Sequence, residues 1–242
     1  MAKNTSKLLR NIYGVSPIKI EVIHHGVPKK EVPSRQTLKD KFGYGDKQLI
    51  STFGLLSPGK GIEYAIEAIA EICDVSSDIL YLVLGQTHPD QKDESYREKL
   101  QALVIKYNLE KNVKFINKYL SKDEIIQYLQ MSDVYMTPYL SKDQAVSGTL
   151  AYAVGYGRAI ISTPYLYAQE MLSEDRGLLA EFKNPDSIFR CLKYILDNPD
   201  EKARMEKNTI NLGKTMYWDI VAKNYINVFM KTVIVNEEIG AV

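Results

Sequence analysis

QLISTFG at 48–54, IEYAIEAIAEI at 62–72 and ILYLVLG at 79–85 follow one another with only short connections between them. The first and third are short, apolar and rich in β-branched residues. The middle one repeats apolar residues at intervals of three and four, the spacing of one helix face. The third is almost unbroken in its apolar character, the pattern of a strand covered on both sides. Strand, helix, strand is the repeating unit of a parallel sheet. The alternation continues downstream, where VKFIN (113–117), DVYMTPY (133–139, stopped by Pro138) and RAIIST (158–163) read as strands, with a short LLAEF strand after Gly177. Upstream, IKIEVI at 18–23 reads as a further strand. Helical patterns fall between them: SYREKLQALVIKYNL (95–109), DEIIQYLQ behind a Ser121/Glu124 capping box, LAYAVGYG, and PDSIFRCLKYILD with Asn184 as cap and Pro185 at its first position. Two more begin at Asp200 and Tyr217, and a brief one, SRQTLKDKFG, lies in the polar stretch 28–46. The prediction is an α/β fold, a doubly wound parallel sheet with helices on both faces. Such sheets bind ligands at the carboxyl ends of their strands.

The 242 residues are 45% hydrophobic and 25% charged with a formal net charge of +1, ordinary values for a globular chain with its own core. A balance this near neutral gives no general attraction to nucleic acid or to an anionic membrane. Any bound anion needs a local site. Cys73 and Cys191 lie in apolar helical stretches and read as core thiols, with no Cys/His spacing that would hold zinc. The sequence shows no signal-peptide core and no apolar run approaching the ~18 residues of a membrane span, so a cytoplasmic location is expected.

Two strand-to-helix junctions could hold a phosphate. In FGLLSPGKGIEYAIEA, Gly54, Gly59 and Gly61 let the backbone approach a ligand, and Lys60 stands beside a helix N-terminus. The plain alternative is a tight turn with a solvated lysine; the pattern is not a Walker A loop. In the second junction Ser147, Gly148 and Thr149 precede an apolar helix. Hydroxyls and free N–H groups there make a donor-lined pocket, or simply an N-cap. Of the three histidines, His24 reads as a satisfied turn residue, His25 as facing a cleft, and His88 as standing at the ligand end of the sheet. Glu170 is either a site carboxylate or a surface one. Arg158 and Lys142 flank the second junction as possible sources of positive charge, and Trp218 reads as a packing anchor.

The order VIHHGVP, TFGLLSPGKG, YLVLGQTHP, VKFINKYLSKDEIIQYLQMSDVYMTPY, SGTLAYAVGYGRAIIST and RGLLAEFKNPDSI resembles the C-terminal, nucleotide-sugar-binding domain of retaining family-4 glycosyltransferases, and within them a mannosyltransferase-like branch. The resemblance runs from about Ile18 to about Tyr225. It implies a Rossmann-like domain forming one half of a GT-B fold. Residues 1–17 would be a linker helix toward an N-terminal domain, 18–215 the donor-binding domain, and 216–242 a crossover helix and tail. It implies sugar transfer with retention, without metal or cofactor, to a glycan or glycolipid acceptor. Lys60 and Gln144 would be catalytic. Gly54, Gly59, Lys60, Gly61, His88, Asn117, Tyr119, Tyr139, Gln144, Ser147, Gly148, Thr149, Leu150 and Tyr152 would contact the donor, with GDP-mannose favoured and UDP- or ADP-sugars as alternatives. Thr149 and Leu150 would offer N–H groups to the phosphates. The family's usual Gly-Arg pair is Gly54-Leu55 here, and its two glutamates eight positions apart fall on Gln144 and Tyr152. Those departures leave open a non-catalytic nucleotide or sugar-phosphate module, or half of a GT-B sugar phosphorylase. On the family pattern this chain alone would be an inactive fragment. The last helix would dock on the other domain or form a homodimer, and the whole enzyme could sit peripherally on the inner membrane.

Overall fold

The computed structural model describes residues 3–87 and 94–240, with side chains up to 233. Helix α1 (Lys3–Tyr13) leads through a single 3-10 turn to α2 (Arg35–Lys41) and β1 (Gln48–Phe53). Then come α3 (Ile62–Cys73), β2 (Ile79–Leu84), α4 (Ser95–Lys106), β3 (Val113–Ile116), α5 (Lys122–Met131) and β4 (Val134–Thr137). The chain continues with α6 (Gly148–Gly155), β5 (Ala159–Ser162), α7 (Leu166–Met171), β6 (Leu178–Leu179), α8 (Pro185–Asp197), α9 (Pro199–Lys214) and α10 (Trp218–Gly240).

The strands form one parallel sheet in the order β3-β2-β1-β4-β5-β6. This is a Rossmann-like arrangement, and the direction of winding reverses between β1 and β4. Side-chain alternation divides two cores cleanly. Leu80, Leu82 and Leu84 of β2 enter one core with residues of α5, α6 and α7, while Ile79, Tyr81 and Val83 enter the other with α3, α4 and α8. The Ser121 capping box is present in full, and Asn184 accepts from Ser187 N–H at the head of α8.

A buried ionic cluster closes the amino end of the sheet. Asp133, just before β4, accepts from the Leu49 N–H at 2.8 Å, Lys39 at 2.6 Å and Lys202 at 3.0 Å. It joins β1, β4, α2 and α9 at one carboxylate.

Two expectations are corrected. Residues 18–23 form no strand: Pro17–Lys19 is a 3-10 turn and Ile18 is 92% exposed. Ile20, after that turn, does have extended backbone at φ -123 and ψ 117. The segment passes outside the sheet, however, and only Val27 makes a ladder contact, with Tyr217. The strand expected after Gly177 is reduced to Leu178–Leu179, because Asn184 and Pro185 start α8 so soon afterwards. Between β5 and β6 the chain also forms α7, for which no helical pattern was read.

Candidate functional site

The reversal of winding places the loops after β1 and β4 side by side at the carboxyl end of the sheet. Gly54 leaves β1 with φ +140, a value L side chains rarely adopt, and its N–H donates to Leu84 O at 3.0 Å. A 3-10 turn, Pro58–Lys60, follows, and Gly61 then starts α3 in the left-handed region at φ 62 and ψ 27. A Cβ on Gly61 would collide with the Pro138 carbonyl oxygen. Glycine is thus required for the β1 and β4 loops to touch. Gly59 is different: it has ordinary φ and open space, and its carbonyl accepts from Leu140 N–H at 3.0 Å.

This folding points Lys60 inward over the Tyr139 ring, with Nζ 3.9 Å from the ring centroid. No carboxylate pairs with Lys60 among the described residues. Burial lowers its pKa below the usual lysine value. Tyr139 is fully buried, stacked on Tyr165, and burial raises its phenol to about 12. Its hydroxyl meets Thr149 Oγ1 at 2.8 Å, and Thr149 Oγ1 meets Ser147 Oγ at 3.0 Å. A Cβ on Gly54 would lie 3.6 Å from Thr149 Cγ2 and 3.9 Å from Lys60 Nζ. Gly54, Lys60, Tyr139, Ser147 and Thr149 therefore converge.

Ser147 caps α6 by accepting from Leu150 N–H at 3.2 Å. That corrects the expected offer of Leu150 N–H to a ligand, since the cap engages it. The N–H groups of Gly148 and Thr149 remain in the first turn, where the helix dipole favours an anion. Tyr152, one turn on, is partly buried against Phe53 and His25 at centroid distances of 6.5 and 6.4 Å. The Gln144 amide donates to Val146 O at 3.0 Å in the loop before α6.

A cavity of about 160 Å³ adjoins Gly54 and reaches between the ends of β1, β2 and β3. Gly85, Gln86, Lys118, Tyr119 and Ile125 line it. Asn117, exposed, does not. His88 lies outside the described residues. The contributions of Gly85 and Gln86 were not foreseen from sequence, although Gly85 ends β2 as Gly54 ends β1.

Several flanking expectations change. Arg158 is buried at the amino end of the sheet, donating to Tyr156, Gln130 and Ser132 carbonyls, and burial pulls its pKa down to about 10. It cannot supply charge at the other end. Lys142 rests over the Phe182 ring, 5.6 Å from its centroid. Glu170 accepts from the backbone N–H groups of Lys3 and Asn4 at the head of α1, at 2.8 and 3.0 Å. His24 is not a satisfied turn residue: its Nδ1 is buried without a partner among the described residues, and burial lowers its pKa. The Trp218 ring packs against Gly26.

Known proteins share this fold. Among solved structures, sucrose-phosphate synthase from Thermosynechococcus elongatus superposes with a TM-score of 0.82 at 18% identity, covering 97% of this chain and 58% of that one. Anabaena HepE in complex with UDP and glucose superposes with a TM-score of 0.75 at 16% identity, covering 88% and 57%. In sequence, the N-acetylgalactosamine-N,N'-diacetylbacillosaminyl-diphospho-undecaprenol 4-alpha-N-acetylgalactosaminyltransferase of Campylobacter jejuni is 25% identical over 213 residues, 83% of this chain and 50% of that protein. The chain spans about half the length of the curated relatives it matches. The family model for glycosyl transferases group 1 matches residues 34–212, from the start of α2 through α9 and across the whole sheet. By that match, and with the loops of the site inside it, the chain belongs to the glycosyl transferases group 1 family.

Proposed function

We propose that this chain is the donor-binding half of a retaining, metal-independent glycosyltransferase that uses a nucleoside diphosphate sugar. The observation that carries the reading is Lys60: a partly buried cation with no carboxylate partner among the described residues, beside Gly54 and Thr149 at the reversal between β1 and β4. A diphosphate there meets the lysine, the free N–H groups of the first turn of α6, and its dipole. The adjoining cavity, with Tyr119 on its wall, suits a nucleobase.

In transfer, the bond from the anomeric carbon to the leaving phosphate oxygen breaks, and its electron pair stays on that oxygen. Lys60 and the helix terminus stabilise the growing negative charge, the task a metal performs in other transferases. The acceptor hydroxyl oxygen, from a glycan or glycolipid, bonds to the anomeric carbon on the face the leaving group occupied, and its proton passes to the departing phosphate oxygen. Gln144 would hold sugar hydroxyls through its amide. The acceptor would be bound by a second domain, consistent with relatives about twice as long as this chain. GDP-mannose is the donor favoured by the sequence resemblance, and the UDP bound to HepE makes uridine the next base to test.

A second reading has one specific observation behind it. The positions where the family usually has glutamates hold Gln144 and Tyr152, and the Tyr152 ring packs between Phe53 and His25. A module that binds without turnover would look the same. Thermal denaturation with UDP, GDP, ADP, UDP-glucose and GDP-mannose tests binding. A ligand at 100 times its Kd stabilises the fold by about 2.7 kcal/mol. At least one of the five should do so, and Lys60→Ala should abolish the shift. No shift from any of them would remove the basis of the proposal.

A further inference from the structure

His25 is held over the first turn of α6 by packing on both sides of it. Val27, two residues on, packs against α6 so closely that a Cβ on Gly155 would meet Val27 Cγ2 at 2.5 Å. Val27 also pairs with the segment before α10, its N–H donating to Met216 O at 2.8 Å and its carbonyl accepting from Trp218 N–H at 3.1 Å. Gly26 lies under the Trp218 ring, where a Cβ would collide. The turn that carries His25 is therefore fixed to two helices.

The ring itself is oriented by a bond to the next residue. His25 Nδ1 donates to Gly26 O at 2.8 Å, since a carbonyl can only accept. Nε2 is left facing α6, 3.6 Å from where a Cβ of Gly148 would stand. It has no hydrogen-bond or ionic partner among the described residues. The ring edge rests against Tyr152.

A diphosphate ester carries two negative charges and Lys60 answers one. Lys118, on the cavity wall, is already paired with Glu124. We infer that His25 is a second side-chain donor to the diphosphate, its protonated Nε2–H directed at a phosphate oxygen held at the N-terminus of α6. The inference rests on the donor-binding reading and adds a binding residue to that site. In the protonated ring both nitrogens donate, Nδ1–H to Gly26 O and Nε2–H to the ligand, so binding needs no rearrangement of the turn.

The test is calorimetric titration of UDP, GDP and ADP into the unaltered chain, His25→Ala and His25→Gln, with one-dimensional proton spectra of the imidazole resonances. A charge-assisted bond of this kind is worth about tenfold in affinity or more. His25→Ala should weaken the bound diphosphate by at least about that factor at an unchanged melting temperature. His25→Gln, which keeps an N–H of similar reach, should recover part of the loss. In the unaltered chain the His25 resonances, identified by their absence in the variants, should move on titration. Binding by His25→Ala within about twofold of the unaltered chain would overturn the inference while leaving the donor-binding reading intact. A weakened affinity accompanied by a lowered melting temperature and unmoved His25 resonances would also overturn it, since the role would then be structural. Failure of all three diphosphates to bind the unaltered chain would overturn both.

Discussion

Lys39 and Lys60 are both lysines withdrawn from water, and they differ in what answers their charge. Lys39, only 5% exposed, donates to Asp133 and to Lys47 O at 2.6 and 2.7 Å. Lys60 has an aromatic face and, among the described residues, no anion. The first arrangement is complete in itself; the second is the one that the proposed function completes with a ligand. Asp133 shows how tightly the completed cluster is balanced. Burial alone would raise its pKa, but Lys202, Lys39 and the Leu49 N–H together outweigh burial and hold it below the ordinary value. A carboxyl lowered on folding stabilises the fold above its unfolded pKa, and that contribution is lost as pH falls through the folded one. The loss therefore belongs below about pH 4. Asp133→Ala leaves Lys39 and Lys202 buried without a counter-ion and should cost about 3–5 kcal/mol in urea denaturation at neutral pH. The difference from the unaltered chain should shrink as the pH is taken below the carboxylate range. A cost under about 1 kcal/mol, or a difference that grows in acid, would show that the cluster is not bound together by this charge.

Among the elements, the loop between β1 and α3 is tightly constrained at one glycine and open at another. Gly61→Ala forces a Cβ into the left-handed region and against Pro138 O, and should destabilise the fold by about 2–3 kcal/mol. Gly59→Ala, two residues away, meets open space and should change stability by no more than about 0.5 kcal/mol. Equal melting curves for the two variants would contradict the close approach of the two loops. Elements whose own residues carry a full signal were legible in the sequence. The capping box of α5, the Asn184–Pro185 start of α8 and the apolar run of β2 were all read correctly, because each encodes its structure locally. Residues 18–23 were misread because β-branching reports extended backbone, and pairing depends on where the rest of the sheet ends. The site was legible as two loops with Lys60 and Ser147–Thr149 in them. The Tyr139–Thr149–Ser147 hydroxyl chain and the orientation of His25 were not, since each joins residues through contacts that only the folded chain creates.

For the whole molecule, the helices on either side of the family match, α1 and α10, both carry exposed apolar side chains. On α10, Tyr225, Ile226, Phe229, Met230 and Val233 are each more than two-fifths exposed, and on α1 so are Ile12 and Tyr13. Among the described residues no helix is long and apolar enough to cross a membrane. In the proposed two-domain enzyme these faces pack on the acceptor-binding domain, or on a second copy of this chain. The proposal puts the ligand at one end of the sheet only, between the loops after β1 and β4, with the Asp133 cluster closing the other end. Backbone amide shift mapping during titration with UDP or GDP tests that placement most directly. The account predicts that the largest shifts fall at Gly54–Gly61 and Ser147–Thr149, with the amides around Asp133 unmoved. Shifts centred elsewhere, or absent at saturating nucleotide, would contradict it.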